Sequence, residues 1–411
     1  MTGNEAPWRS DLVGKMKILC VLGKYAYGDP ARGVSPEYAA MLPALARLGH
    51  EVIHFESWQR SRYPDYKALN RELLGTVKAQ MPSMMLVVQM NYEVWLETLT
   101  AIRALETVTT VCWNTDDSWK YREVSRFVGP YYDVMATTYE SRISDYHRDG
   151  LYNVLPTQWA ARQDALCQPL PAEKCLYPVS FVGYAHGNRR HMIDSVRRAG
   201  IEVACFGHGW GNGPVATGEL ERIVRESVVS LGFTNSKGEN QVKARTFEVP
   251  GAGGFLLTER AAGIEKYYRS GKEIAVFSGK KELISQIRYY LTHPEERDAM
   301  AWAGYRRTCR EHTYDSRMRE LLAKSELLCQ DRESETLPSG SAALDDAFRK
   351  CRVTLPLKVT RYLLVSLCRM IWGKKRGPRA ARRLLFEFSW RFLGSRTFSA
   401  AGLPGRLFPE Q

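Results

Sequence analysis

No Cys-x-x-Cys pair occurs in this 411-residue chain, and its nine cysteines are scattered from Cys20 to Cys368 in an odd total. Such spacing points to neither a zinc cluster nor a disulfide framework, and a reducing cytosol is the expected compartment. There is no Gly-x-Gly-x-x-Gly, which argues against a dinucleotide dehydrogenase. The first fifteen residues lack the basic-then-apolar pattern of a secretory signal, and 13–21 is interrupted by Gly14, Lys15 and Lys17, so no export is expected. The apolar stretch 353–372 is broken by Lys358, Arg361 and Arg369, which disfavours a membrane span. His186 and His191 lie five apart without a matching carboxylate cluster, and no metal site is expected.

What is present suits a soluble globular protein: 44% hydrophobic and 11% aromatic residues, with length for two to three units at roughly 150 residues each. The net charge of +13 is uneven. Residues 351–411 hold three Lys and ten Arg against Glu387 and Glu410, a net +11 that leaves +2 for the other 350 residues. The basic character belongs to a C-terminal tail.

The periodicity predicts alternating strands and helices. Residues 16–22 form an apolar run that stops at Gly23, read as a buried parallel strand. A loop with Gly28 and Gly33 follows, then Ser35-Pro36-Glu37 opens a helix over 38–48, with Ser as cap, Pro in the first turn and Glu at the positive end. Strands are expected at 51–55, 84–90, 108–112 and 133–138, with a helix over 92–105. Ligands collect outside the carboxyl ends of parallel strands. Trp113, Asp116 and Asp117, just after one such strand, therefore read as an acceptor or sugar surface, and equally as a cap for the next helix. Residues 159–178, with Pro169, Pro171 and Pro178, read as a connection between domains.

A second series restarts at 179–183. Arg189 and Arg190 then lead into a helix over 192–199. Helix amides with arginines make an anion site, the alternative being surface arginines at a helix start. A strand over 200–206 runs into the turn Gly207-His208-Gly209-Trp210-Gly211, and another strand is expected at 228–233. Most telling is 243–258, a short charged helical run that breaks at Pro250 and glycine before an apolar strand. Arg245 and Glu248 would share a helix face, and Gly253-Gly254 permits a left-handed turn and close backbone approach. A rigid polar ligand corner fits this pattern; so does a plain helix end with Glu248 solvated.

The Gly207-to-Trp210 turn, the Arg245-to-Gly254 segment and the ending from Gly304 to Arg317 with His312-Thr313-Tyr314 together resemble family-4-type glycosyltransferases, most closely their CgeB-like (spore-maturation) branch. The resemblance spans 16 to about 322. It implies an α/β, GT-B fold: two Rossmann-like domains facing across a cleft, an N-terminal acceptor domain at 16–168 and a C-terminal nucleotide-sugar domain at 169–328. Around them, 1–15 reads as a leader, 329–350 as a flexible linker and 351–411 as a basic amphipathic helical tail. The implied activity is transfer of a sugar from a nucleoside-diphosphate sugar to a glycan, lipid or protein acceptor, with retention of configuration. In the family the signature Glu holds the donor ribose, and it falls on Glu248. Arg189, Arg190 and Arg245 are expected at the diphosphate, with Gly28, Gly33, Gly207, His208, Gly253 and Gly254 lining the donor site.

The absence of any Asp-x-Asp fits a metal-independent enzyme without cofactor. One departure matters: where the family has a first Glu eight positions before the second, this chain has Asn240, with Glu239 beside it. That leaves room for a non-catalytic binding protein used in assembly, or a sugar-nucleotide epimerase. Basic residues beside Leu, Phe and Trp in the tail suit an anionic membrane surface, which would make the protein cytoplasmic and peripheral at the inner face of the membrane. The tail reads equally as unstructured or packed on the protein. Specific nucleic-acid binding is not expected, because no base-reading fold is visible.

Overall fold

A computed structural model describes residues 14–215, 218–235, 240–330 and 340–409. The expected leader up to residue 13, Glu239 and linker residues 331–339 lie outside them.

An apolar run with no polar alternation must be covered on both faces, and in β1 (Lys17–Leu22) residues Ile18 to Leu22 are wholly buried. Beside it lie β2 (Glu51–Glu56), β3 (Met84–Val87), β4 (Thr109–Asn114), β5 (Val134–Thr137) and β6 (Val154–Pro156). They make one sheet in the order β2-β1-β3-β4-β5-β6, with every pair parallel. The first crossover helix, Pro36–Arg47, is capped as its sequence predicts. Ser35 Oγ accepts from the Tyr38 amide at 3.1 Å and donates to the Gly23 carbonyl at 2.5 Å, tying the helix start to the strand end.

Two elements are shorter than their apolar patterns predict. The strand expected over 84–90 stops at Val87, and the helix expected from residue 92 begins at Leu96. Polar side chains hold the intervening backbone in a loop. The Glu93 carboxylate accepts from the amides of Met90 and Asn91, and Asn70 Oδ1 accepts from the Trp95 amide at 2.9 Å. Local side-chain acceptors of this kind compete with ladder and helix bonds.

The restart in the sequence is a second sheet. It contains β7 (Tyr177–Val182), β8 (Ala204–Phe206), β9 (Ser227–Gly232), β10 (Leu256–Glu259) and β11 (Ala275–Phe277), in the order β11-β10-β9-β7-β8, all parallel. Arg297, fully buried in the helix Pro294–Glu311, donates to the carbonyls of Ser227 and Val228 at 2.7 and 2.8 Å and to Leu170 at 2.7 Å. A buried guanidinium is tolerated when its donors are answered in this way.

The chain divides into two compact units, the first taking in residues up to Thr157 and from Glu320 onward and the second running from Gln158 to Arg319. The first unit thus includes the C-terminal segments expected to be a linker and a tail. Residues 340–350 are a helix, not flexible linker. Leu344, Ala347, Phe348 and Cys351 recur at i, i+3, i+4 and i+7 and pack inward, with Phe348 6.1 Å from the Trp95 ring. The long helix Leu355–Leu393 is broken at Gly373, whose φ of 76° is left-handed. Its two arms meet where Gly377 lies against Arg369; a Cβ there would stand 2.7 Å from the Arg369 Cα. Phe386, Trp390 and Phe398 enter the core of the first sheet's unit. None of the helices in the described residues is long and apolar enough to cross a membrane.

Trp390 is 5% exposed, and its Nε1 donates to Glu387 at 3.2 Å. Trp390→Ala is expected to destabilise the first unit by about 3–5 kcal/mol, the usual range for a large aromatic removed from a core. A denaturant midpoint equal to wild type would show that the C-terminal arm is not part of that core.

Candidate functional site

In the second sheet β8 and β9 flank β7 on opposite sides, so the chain's direction of winding reverses there and opens a crevice beyond the carboxyl ends of β7 and β9. The loop after β7 delivers the helix Arg189–Arg198 with its N-terminus at that crevice, and Asn188 provides no side-chain cap. The first-turn amides and the helix dipole therefore favour an anion. The helix begins three residues earlier than its apolar pattern predicts, which makes Arg189 its first residue.

The Arg189 side chain is fixed from two directions. Its Nε donates to Asn235 Oδ1 at 3.0 Å and its Nη1 to the Tyr184 carbonyl at 3.1 Å, with the guanidinium 5.7 Å from the Phe181 ring. Asn235 follows β9, and Gly187 leaves room for it: a Cβ on Gly187 would lie 2.5 Å from its Nδ2. Arg190 turns elsewhere, donating to the Gly209 carbonyl and lying 5.1 Å from the Trp210 ring. Both arginines stand at the helix start, but they answer different neighbours.

Arg245 and Glu248 lie on the short helix Arg245–Gly251, three residues apart as the spacing requires, and the guanidinium donates to the carboxylate. Arg245 Nε also donates to the Val182 carbonyl, the last residue of β7, at 3.2 Å. Desolvation lowers the Arg245 guanidinium to about 10, opposed by the charge of Glu221 and reinforced by that of Arg189. Desolvation lowers Arg189 as well, against the attraction of Glu259. His186 is held below its ordinary value by burial and by the charges of Arg189 and Lys243. Cationic groups thus converge where β7 ends, and Glu248 is beside them. Asn235 and Lys243 were not singled out from the sequence; their positions after β9 and before the charged helix were the available signal.

The glycines are explained by the chain's own packing. Gly253 has φ 79°, and a Cβ on it would meet the Cys167 carbonyl at 2.5 Å; on Gly254 it would meet the Val224 carbonyl at 2.7 Å. Both are buried, so the close backbone approach expected of a ligand is made here by protein. Gly207, at φ 118°, lies against the Gly183 carbonyl, and His208 stacks on Tyr184 with ring centroids 5.0 Å apart. Asn240 Nδ2 donates to the Arg260 carbonyl at 3.1 Å.

In the first unit, Gly28 has φ 71° and packs on the Trp58 carbonyl, whereas Gly33, at φ 79°, faces open space. The surface expected of Trp113, Asp116 and Asp117 requires correction. Trp113 and Asp117 are wholly buried and only Asp116 is exposed. Asp117 accepts from Ser125 Oγ and Thr137 Oγ1 at 2.6 Å each and from the Tyr146 hydroxyl at 2.8 Å. Three hydroxyl donors satisfy a carboxylate inside a core, and Asp117 caps no helix.

His312, from the terminal motif, packs against Phe247 of the helix Arg245–Gly251. Its Nε2 donates to the Tyr267 carbonyl at 2.8 Å, and its ring is 5.4 Å from that of Phe247. Burial lowers it from 6.5 to about 4, so it is neutral at pH 7. Because the unfolded chain binds the proton more readily, its contribution is full above pH 6.5 and is lost as pH falls to about 4, up to roughly 3 kcal/mol in all. His312→Gln is expected to flatten the fall in unfolding midpoint over that interval. An identical pH slope in the variant would overturn the assignment.

Residues 189–323 match the family described as Glycosyl transferase-like. Among curated proteins none matches this chain. Solved structures are alike at 10% identity: a glycosyltransferase from Rickettsia africae (TM-score 0.54, covering 78% of this chain and 100% of that one), Anabaena HepE in complex with UDP (0.51; 76% and 100%) and sucrose-phosphate synthase from Thermosynechococcus elongatus (0.52; 77% and 100%). The chain therefore has the GT-B fold of glycosyltransferases, and the segment that matches the glycosyl transferase-like family starts at Arg189 and includes Arg245 and Glu248.

Proposed function

We propose that the protein is a glycosyltransferase that moves a sugar from a nucleoside-diphosphate sugar to a glycan, lipid-linked or protein acceptor, without a metal and with retention of configuration. The observation that carries this is the convergence of Arg189, Arg245 and an uncapped helix N-terminus at the winding reversal of the second sheet, with Glu248 bonded to Arg245. As the bond from the anomeric carbon to the diphosphate oxygen breaks, charge grows on the leaving group. Guanidinium groups and helix amides held there in advance lower the barrier. Arg189 and Arg245 serve the diphosphate, Arg190 supports the adjacent turn, and Glu248 accepts from the ribose hydroxyls. The complex of HepE with UDP-glucose supports a nucleotide-sugar donor, and the lack of an Asp-x-Asp supports metal independence. The Gly207 turn and the 245–254 segment support the CgeB-like branch, with Asn240 marking a different sugar contact.

A panel of nucleotide sugars, read first by thermal shift and then by product analysis, tests the assignment. Glu248→Gln should weaken binding of the stabilising donor by about 10–100-fold, as expected for a lost hydrogen bond to a charged group. Arg189→Ala should lower kcat by about 10²–10³. Wild-type turnover in both variants would reject the residue roles, and donor binding without any turnover would favour a non-catalytic binding protein.

A second reading concerns where the protein acts. The arm over 355–372 exposes Leu355, Val359, Tyr362, Leu363, Leu367 and Met370, a stripe at i, i+4, i+7, i+8, i+12 and i+15, and it lies within residues 351–411, whose net charge is +11. We infer that this stripe enters an anionic membrane surface, on the inner face of the cell membrane, as an interfacial helix. The protein should sediment with phosphatidylserine vesicles, less so at high salt and less after Tyr362→Ser with Met370→Ser. Equal sedimentation of wild type and variant would refute it.

A further inference from the structure

The first sheet has its own winding reversal: β2 and β3 flank β1 on opposite sides. At such points the loops after the strands part and leave a crevice. A cavity of about 250 Å³ lies there, walled by loops following β1, β2 and β3 and closed by the second arm of the C-terminal helix. Tyr27, Trp58, Tyr66, Tyr92 and Phe386 give it aromatic walls; Ser57, Arg60, Asn91, Glu93, Arg382 and Arg383 give it polar ones.

The charges are unequal. Glu93 is spent on the Met90 and Asn91 amides, and Arg383 on Glu123 and Glu387. Arg60 lies 3.7 Å from the Tyr66 ring and donates through Nη2 to the Pro409 carbonyl, leaving Nε and Nη1 buried without a partner. Ser57, 1% exposed, has an unpartnered Oγ on the same wall. Arg382 is half-buried and, among the described residues, has no hydrogen-bond or ion-pair partner. A buried donor without an acceptor costs free energy that a ligand oxygen can offset, and a guanidinium suits carboxylate and phosphate oxygens by geometry.

We propose that this cavity binds the acceptor through an anionic group, a carboxylate or a phosphate carried on a sugar, with Arg382 as its specificity-determining cation. The aromatic walls suit the faces of a sugar ring. The proposal rests on the transferase reading for the word acceptor; the anion preference stands on the cavity alone. It also gives the C-terminal arm a part in recognition, because Arg382 and Phe386 reach the site from that arm.

Glucuronate, glucose 6-phosphate and glucose are titrated calorimetrically into the full chain with and without UDP, and UDP is titrated in parallel. At least one anionic sugar should bind about tenfold or more tighter than glucose, and the better of the two identifies the anion. Arg382→Gln should remove that advantage, while Arg376→Gln, exposed on the same arm, should leave it unchanged, and neither should alter UDP binding. Equal affinity for glucose and both anionic sugars, or an undiminished preference in Arg382→Gln, overturns the proposal. Failure of UDP to bind wild type would count against the transferase reading instead, leaving the anion preference to the sugar titrations.

Discussion

Holding two guanidinium groups near one another while both are partly withdrawn from solvent is the constraint on which the second unit turns. Desolvation lowers the proton affinity of both Arg189 and Arg245, and the charge of Arg189 lowers that of Arg245 further. Such an arrangement persists only where neighbouring groups hold it. Here the Tyr184 and Val182 carbonyls, the Asn235 amide and the carboxylates of Glu221, Glu248 and Glu259 do so. All of them come from the ends of β7, β9 and β10 or from the helices just before and after β9, so the parallel sheet sets the geometry and the segments around it supply the charge.

The same economy explains the glycines. At Gly253, Gly254 and Gly207 the space that a side chain would need is filled by carbonyls of Cys167, Val224 and Gly183. These residues let the backbone of the charged helix and the glycine-rich turn sit close to the sheet. Their contribution seen in the fold is one of placement, made through packing density.

The C-terminal arm joins two roles that composition alone would keep apart. Its inner face, with Phe386, Trp390 and Phe398, completes the core of the first unit, while its other arm leaves an apolar stripe uncovered. Basic residues occupy the boundary between them. One of those, Arg382, lines the cavity at the first sheet's winding reversal, so folding of the arm and the chemistry of that cavity are linked.

Apolar runs and their punctuation by themselves determined the two β/α series, the Ser35 cap, the break after Pro250 and the pairing of Arg245 with Glu248, because these depend on residues within a few positions of one another. The resemblance of the 245–254 segment added the functional reading. What only tertiary structure decided were the matters that turn on distant partners. Residues 340–350 read as polar linker until the first unit offers them a groove. Asp117 looks like a surface carboxylate until Ser125, Thr137 and Tyr146 close over it. Arg382 looks like one more cation in a basic tail until the chain, some 290 residues after Asn91, folds back and leaves it unpaired beside that loop. Local pattern specifies which element forms; burial and charge compensation, which require the whole fold, specify what each side chain is for.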